Sequence, residues 1–301
     1  MKSLRPPPAD RSLEERLSFG VINLDKPPGP SSHQVAAWVR DAIGKAADEL
    51  GGGPVGKAAH AGTLDPKVTG CLPVMVGAAT RLAPAFLEGS KSYVAVLELH
   101  GPLPPDAEST IAAFETEIYQ KPPRKSAVTR RLRSRTVYDL DVLDREDRRL
   151  LLWIRCESGT YVRKLCHDIG LALGTGGHMG DLRRTETDPF DDTDLVTMYD
   201  LVDAIECAID GDREALESIV APGERVLSGL PAVTIARNAA EEVAHGAPVY
   251  APGIIGVEGA PTLDELVACY TPNGSAVCLG RLVGDPNADR GVVVELERVL
   301  V

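Results

Sequence analysis

One aspartate stands in a loop whose glycines and proline restrict how the backbone can run. Asp65 lies between Gly62 and Gly70 and directly precedes Pro66. Glycine permits positive φ angles and close approach of other backbone, and proline pushes the residue before it toward extended conformations. The segment therefore predicts a loop that holds Asp65 where chemistry can take place. An Asp-Pro pair is also typical of an ordinary turn, so the rest of the chain has to decide between these two interpretations.

Five short segments occur in a fixed order along the chain. They are residues 19–32 (FGVINLDKPPGPSS), 60–70 (HAGTLDPKVTG), 91–94 (KSYV), 159–163 (GTYVR) and 182–185 (LRRT). Any one of them would be a weak signal, but five in order are specific. Together they resemble the motifs of the TruB and dyskerin family of RNA pseudouridine synthases. The resemblance implies that the chain isomerises uridine in RNA to pseudouridine.

This reaction breaks the bond between N1 of the base and C1′ of the ribose and re-forms it at C5, with no redox change and no net group transfer. It needs an ionised carboxylate near the sugar and a pocket that holds the detached base. No cofactor is expected. The six cysteines include no Cys-x-x-Cys pair and the six histidines are scattered, so neither a metal site nor a disulfide framework is expected.

The resemblance assigns the chemistry to three residues. Asp65 is the carboxylate that acts as nucleophile or base, and Arg163 is the partner that keeps it ionised. If Thr160 caps a helix, Arg163 lies in the first turn, where the helix dipole disfavours a cation unless an anion lies opposite. Tyr93 is expected to stack on the target base and is a candidate general base, although a tyrosine at the start of a strand is also typical of a core.

Four further residues are expected around the substrate. By resemblance, Tyr161 and Leu182 line the uracil pocket, although each would also suit a core. Lys26 steadies the loop or a phosphate. His60 stacks on the bases left behind when the target uridine leaves its stack, and the alternative for it is a turn or hydrogen-bonding role.

The net charge of −12 conflicts with an RNA substrate, because binding a polyanion normally requires a basic surface. One segment resolves part of the conflict. Residues 121–135 contain seven basic residues and no acidic residue; the basic ones are Lys121, Arg124, Lys125, Arg130, Arg131, Arg133 and Arg135. The other 286 residues carry 25 basic and 44 acidic side chains, a balance of −19. This basic strip resembles the substrate-gripping loop of the family and is assigned to contact with the RNA backbone.

Lysine is scarce, with nine lysines against 23 arginines. An acid-rich, lysine-poor composition indicates adaptation of the host to high salt. Such a protein is expected to lose structure at low salt, where repulsion among its carboxylates is unscreened.

The pattern of apolar residues predicts a mixed α+β fold in two domains. Residues 1–18 are expected to be a flexible tail, 19–225 a pseudouridine synthase domain with a mixed or antiparallel sheet, and 229–301 a small β-rich domain that resembles the PUA RNA-binding domain. Helices are predicted over 33–44 and 197–209, and strands over 93–99 and 150–156. The C-terminal domain has a net charge of −5, so shape and stacking contacts with RNA are expected there.

No apolar run approaches the ~18 residues that a membrane span requires, so the protein is expected in the cytoplasm without membrane partners. The resemblance implies RNA partners of two kinds. The chain either modifies the T-loop uridine 55 of tRNA alone, or serves as catalytic subunit of a box H/ACA ribonucleoprotein, in which a guide RNA and small accessory proteins direct it to ribosomal RNA. The sequence does not decide between them.

Two other classes of function are weighed against this one. A catalytically silent RNA-binding scaffold would not need Asp65, Tyr93 and Arg163 together. A nucleoside glycosidase would have no use for the basic strip and would release free uracil. The target uridines and the role of Tyr93 as base or stacking platform remain open from the sequence.

Overall fold

The computed structural model describes residues 4–122 and 129–301. Over these residues the chain forms helices α1 (Leu13–Ser18), α2 (Ser32–Glu49), α3 (Ala85–Glu88), α4 (Ala107–Ala112), α5 (Val162–Ala172), α6 (Met198–Ile209), α7 (Glu214–Ile219) and α8 (Arg237–Ala244). Short 3₁₀ turns at Pro8–Asp10, Ala78–Leu82, Gly223–Leu227 and Ala251–Gly253 connect several of the elements.

The first of two sheets contains the motif-bearing strands. Its members are β1 (Phe19–Lys26), β2 (Ala58–His60), β3 (Thr69–Gly77), β4 (Lys91–Leu99), β5 (Glu117–Gln120), β6 (Arg133–Arg145), β7 (Arg149–Cys156), β8 (Gly177–Thr187) and β9 (Ala221–Pro222). The strand order is β5-β6-β7-β4-β8-β3-β1-β9, and β2 pairs with β3. Neighbours are antiparallel except β3 and β8, which run parallel where Thr69 lies opposite Arg183. The strands predicted over 93–99 and 150–156 are confirmed as parts of β4 and β7.

Helix α2 packs on this sheet because its apolar residues recur on one face. Val35, Val39 and Ile43 are fully buried, as the predicted amphipathic spacing requires. Ser31 begins the helix with a capping box, and the helix ends before Gly51, whose φ is +79°. The prediction of a helix over 33–44 was correct in place but too short, because the chain continues in helical form to Glu49.

The second sheet contains β10 (Ala232–Ile235), β11 (Val249–Tyr250), β12 (Ile254–Glu258), β13 (Leu266–Tyr270), β14 (Ala276–Leu282) and β15 (Val292–Val299) in the order β11-β15-β14-β13-β10-β12. Strands β13, β14 and β15 form an antiparallel meander, while β10 runs parallel to β13. Helix α8 packs beside this sheet. The mixed α+β fold with a small β-rich C-terminal region, predicted from the sequence, is confirmed.

The segment before β1 is packed against both sheets rather than flexible. Helix α1 has a complete capping box, and its Leu13 and Leu17 are 2% and 0% exposed. Arg11 donates two hydrogen bonds, each of 2.6 Å, to the Glu224 carboxylate, and both side chains are buried. The prediction of a flexible tail over residues 1–18 is therefore wrong for residues 4–18, because partners far along the chain fix this polar segment.

One hydrophobic cluster joins the two sheets. It contains Phe19 and Phe86 from the first part of the chain and Leu266, Leu279 and Leu300 from the second. The two regions therefore share a core instead of being connected by an open linker. None of the helices over the described ranges 4–122 and 129–301 is both long and apolar enough to span a membrane.

Candidate active site

The Asp65 loop connects β2 to β3 and is pinned by two buried side chains. Leu64 and Val68 are 4% and 3% exposed, whereas the Asp65 between them is exposed. Gly70, one of the two glycines predicted to allow close approach of another backbone segment, has a φ of +98°. A Cβ atom there would lie 2.2 Å from the carbonyl oxygen of Arg184. The loop is thus pressed against β8 and presents its carboxylate outward.

Lys26 holds the far side of the loop. It is fully buried, and its Nζ donates to the carbonyl oxygens of Pro27 at 2.9 Å, Pro66 at 3.0 Å and Val68 at 2.8 Å. Burial lowers the pKa of Lys26. Because the three ammonium protons are all directed to carbonyl oxygens, Lys26 steadies the loop and faces neither a phosphate nor an open pocket. Its placement in the substrate pocket is corrected accordingly.

Arg163 forms an ion pair with Asp65. It is the second residue of α5, so a cation stands in the first turn of the helix as predicted. The cap is corrected: Tyr161 precedes the helix without a side-chain cap, and the Thr160 hydroxyl instead donates to the carbonyl oxygen of Glu157 at 2.7 Å. The Asp65 carboxylate provides the negative charge that compensates the unfavourable helix dipole at Arg163.

Tyr93 lies in the core beneath the loop. It is 9% exposed and pairs with Ile154 on β7 and with Arg184 on β8. Burial raises the pKa of the Tyr93 phenol, and the Arg184 guanidinium partly opposes this shift. Burial thus favours the neutral phenol over the phenolate.

Arg184 is a site residue that the sequence analysis did not single out. It is only 2% exposed, and its guanidinium donates to the carbonyl oxygens of Cys71 at 2.8 Å and Gly62 at 3.4 Å. It thereby ties the start of the Asp65 loop to β3 and lies next to Tyr93. Its neighbour Arg183 points to the other face and makes a two-bond ion pair with Asp25, at 3.0 and 3.2 Å. Strand alternation separates the two arginines, but nothing in the motif shows which one enters the core.

The other residues predicted around the substrate are His60, Tyr161 and Leu182. His60 makes an edge-to-face contact with His33, with ring centroids 4.8 Å apart. Burial lowers the pKa of His60 to about 4, and the nearby His33 and Arg184 act in the same direction. Tyr161 exchanges two backbone hydrogen bonds with the Gln120 side chain, and Leu182 is half-buried on β8.

The described residues of the basic strip lie in two settings, an exposed segment and the start of a strand. Lys121, Arg130 and Arg131 are exposed, while Arg133 and Arg135 belong to β6. Arg135 pairs with Glu157 at 3.0 Å, which offsets its charge. Contact of Arg133 and Arg135 with the RNA backbone stays a prediction. Arg124 and Lys125 lie outside the described residues.

Comparison with known proteins agrees with the motif order. Family models match the DKCLD (NUC011) domain over residues 6–36, the N-terminal domain of TruB family pseudouridylate synthases over 53–106, the tRNA pseudouridylate synthase B C-terminal domain over 163–228, and the PUA domain over 231–300. A probable tRNA pseudouridine synthase B from Halobacterium salinarum is 64% identical over 309 residues, which cover 99% of each chain. The chain belongs to the TruB family of pseudouridylate synthases.

Solved structures extend this family assignment to the whole fold. The chain resembles one from a Cbf5-Nop10-Gar1 complex with a TM-score of 0.91 and 41% identity, covering 100% of this chain and 91% of the other. It also resembles a chain from an H/ACA ribonucleoprotein bound to a substrate RNA containing 2′-deoxyuridine. The TM-score is 0.88 and the identity 39%, and the match covers 100% of this chain and 91% of the other. The predicted fold, the C-terminal PUA domain and the enzyme class are thus confirmed for this TruB-family pseudouridine synthase. The haloarchaeal relative also agrees with the predicted origin of the chain.

Proposed function

We propose that the protein isomerises specific uridines in RNA to pseudouridine, using the Asp65 carboxylate. The observation that carries the proposal is the ion pair between Asp65 and Arg163 at an exposed loop that buried residues hold from below. A guanidinium next to a carboxylate favours its charged form and orients it by charge-assisted hydrogen bonds. The site therefore presents an anion to the sugar of an extruded nucleotide.

In the proposed reaction the carboxylate either attacks C1′ and displaces N1 of the uracil, or removes a proton from the ribose as the bond between N1 and C1′ breaks. The freed uracil turns and its C5 bonds to C1′, which releases the carboxylate in the first route and is accompanied by return of the ribose proton in the second. The proton on C5 then leaves while N1 gains one. Burial of Tyr93 favours its neutral phenol, and we propose that it packs against or stacks on the base, with the role of general base as the alternative. Tyr161, Leu182 and His60 are the proposed neighbours of the base and of the stack it leaves.

The substrates proposed are the T-loop uridine 55 of tRNA and ribosomal uridines selected by a guide RNA. The first is supported by the 64% identical probable tRNA pseudouridine synthase B. The second is supported by the likeness to chains solved with Nop10 and Gar1 and within an H/ACA ribonucleoprotein. Small accessory proteins and guide RNA are the partners in that case, and the cytoplasm is the proposed location. Lys121, Arg130, Arg131, Arg133 and Arg135 are proposed to contact the RNA backbone.

The test is to incubate the purified protein in high salt with unmodified tRNA transcript, with and without guide RNA and accessory proteins, and to map pseudouridine. Asp65→Asn is the matched control, because it keeps the size of the side chain and removes its charge. Modification without guide establishes a stand-alone tRNA enzyme, and modification only with guide establishes a ribonucleoprotein subunit. If no Asp65-dependent pseudouridine forms in either case, the proposal is wrong and the protein is an RNA-binding scaffold; release of free uracil would instead indicate a glycosidase.

A further inference from the structure

One buried hydroxyl holds both polar backbone groups of the residue before Asp65. The Ser32 Oγ accepts a hydrogen bond from the amide of Leu64 at 2.8 Å and donates one to the Leu64 carbonyl oxygen at 3.0 Å. Ser32 is fully buried and Leu64 is 4% exposed, so water does not compete for these bonds. The carbonyl of Leu64 belongs to the planar peptide group that leads into Asp65. Fixing it fixes the direction in which the chain enters the catalytic position.

The chain is held on the other side of Asp65 as well. The carbonyl oxygen of Pro66 accepts hydrogen bonds from the amide of Gly29 at 2.8 Å and from Lys26 at 3.0 Å. Asp65 therefore lies between two peptide units that are both fastened to residues 26–32, while its own side chain stays exposed. The upstream attachment depends on Ser32.

A role in capping α2 does not explain Ser32. The cap belongs to Ser31, whose Oγ accepts from the amide of Gln34 at 3.2 Å and whose amide donates to the Gln34 side chain at 2.9 Å. The Ser32 hydroxyl uses its donor and one acceptor position on Leu64 alone. Taking Asp65 as the catalytic carboxylate proposed above, we infer that Ser32 is a positioning residue, which sets the place of Asp65 by holding the backbone of Leu64.

Removing the hydroxyl leaves the amide and carbonyl of Leu64 buried without these partners, and the loop shifts to satisfy them. Displacement of a reacting group by about 1 Å costs on the order of 100-fold in rate. Ser32→Ala is therefore expected to lower kcat for pseudouridine formation about 10- to 100-fold, with KM within about 2-fold of the unsubstituted enzyme. Binding of RNA does not depend on the exact position of Asp65, so the effect falls on kcat.

Ser31→Ala is the matched control, because it weakens the same helix at the adjacent residue without touching the loop. It is expected to lower the unfolding midpoint while kcat stays within about 2-fold. Hydrogen exchange of peptides covering residues 60–70 supplies a readout that does not need activity: exchange accelerates in Ser32→Ala and not in Ser31→Ala. If Ser32→Ala does not fold, Ser32→Cys takes its place. This variant nearly keeps the volume of the side chain and weakens both hydrogen bonds, so the same loss of kcat and the same faster exchange are expected.

Three results would overturn the inference: an unchanged kcat in the Ser32 variant, an equal loss of kcat in the Ser31 and Ser32 variants, or a change in KM alone. Failure of the unsubstituted enzyme to form pseudouridine would count against the proposed function instead. In that case the exchange measurement still decides whether Ser32 anchors the loop, and unchanged exchange would show that it does not.

Discussion

The Arg163 guanidinium contacts the Asp65 carboxylate although the two side chains remain 53% and 51% exposed. An ion pair with so much solvent access adds little to the stability of a fold. The cation also stands in the first turn of α5, where the helix dipole opposes it. A pair that contributes little to stability, within a loop that buried groups hold in place, supports the proposed role of Asp65 as an ionised, oriented carboxylate.

Arg163→Gln is expected to lower kcat for pseudouridine formation by on the order of 100-fold while the free energy of unfolding changes by less than about 1 kcal/mol. Steady-state kinetics and denaturant unfolding in high salt measure the two quantities. Lys164→Gln is the control, since it removes the adjacent cation, which pairs with Asp168 rather than with Asp65. A large loss of stability with activity retained would mean that the pair is structural.

His60 makes the fold sensitive to acid. Burial lowers its pKa to about 4, whereas the unfolded chain binds the same proton near pH 6.5. Between these values the unfolded state carries more protons, so the free energy of unfolding rises with pH across this window and falls on acidification from pH 6.5 to 4. His60→Gln is expected to flatten this part of the profile by on the order of 2 kcal/mol.

Denaturant unfolding at several pH values tests this, with His245→Gln at an exposed histidine as the control. The prediction fails if the His60 variant and the unsubstituted protein lose stability in parallel over the same pH window.

The buried pair of Arg11 and Glu224 is expected to matter far more for stability than exposed pairs. Arg11→Ala removes the two hydrogen bonds that Arg11 donates to the Glu224 carboxylate, which keeps a hydrogen bond from the amide of Ala276 at 3.1 Å. The expected loss is about 3–5 kcal/mol of unfolding free energy. Arg40→Ala, which removes an exposed partner of Asp41, is the control and is expected to cost less than about 1 kcal/mol. Equal losses in the two variants would contradict the buried role of Arg11.

Arg130 and Arg131 are expected to contribute to the salt dependence of RNA binding. Replacing both by Gln removes two cations from exposed positions of the basic strip. If each contacts a phosphate, the plot of log affinity against log salt becomes shallower by about 1.4 to 1.8. Binding measured over a series of KCl concentrations tests this, with Arg148→Gln as an exposed arginine outside the strip. An unchanged slope would remove these residues from the RNA surface.

The sequence predicts well those features that a local pattern carries. The apolar spacing of α2, the strands β4 and β7 and the loop at Asp65 all follow from neighbouring residues, and the structure has each of them. The resemblance to family motifs adds the pairing of Asp65 with Arg163, which are 98 positions apart and which no local rule connects.

The features that the sequence did not reveal depend on distant or backbone partners. Arg184 and Ser32 bind carbonyl and amide groups, which every residue carries and no motif marks. The polar, proline-bearing composition of the N-terminal segment predicts a flexible tail. Its order comes from Glu224 and from Ser275, whose hydroxyl lies 3.0 and 2.9 Å from the carbonyl oxygens of Arg5 and Pro6. Contacts of this kind can be recognised only in the folded structure, where the second sheet lies beside the N-terminal segment.

The packing of this N-terminal segment constrains the order in which the protein can fold. Arg5 donates to the carbonyl oxygen of Leu300, and its guanidinium lies 4.0 Å from the centre of the Phe19 ring. The contact joins residues 295 positions apart and therefore closes a very long loop, which is costly in chain entropy unless other contacts have already brought its ends together. The N-terminal segment is thus expected to dock late in folding, after both sheets have formed.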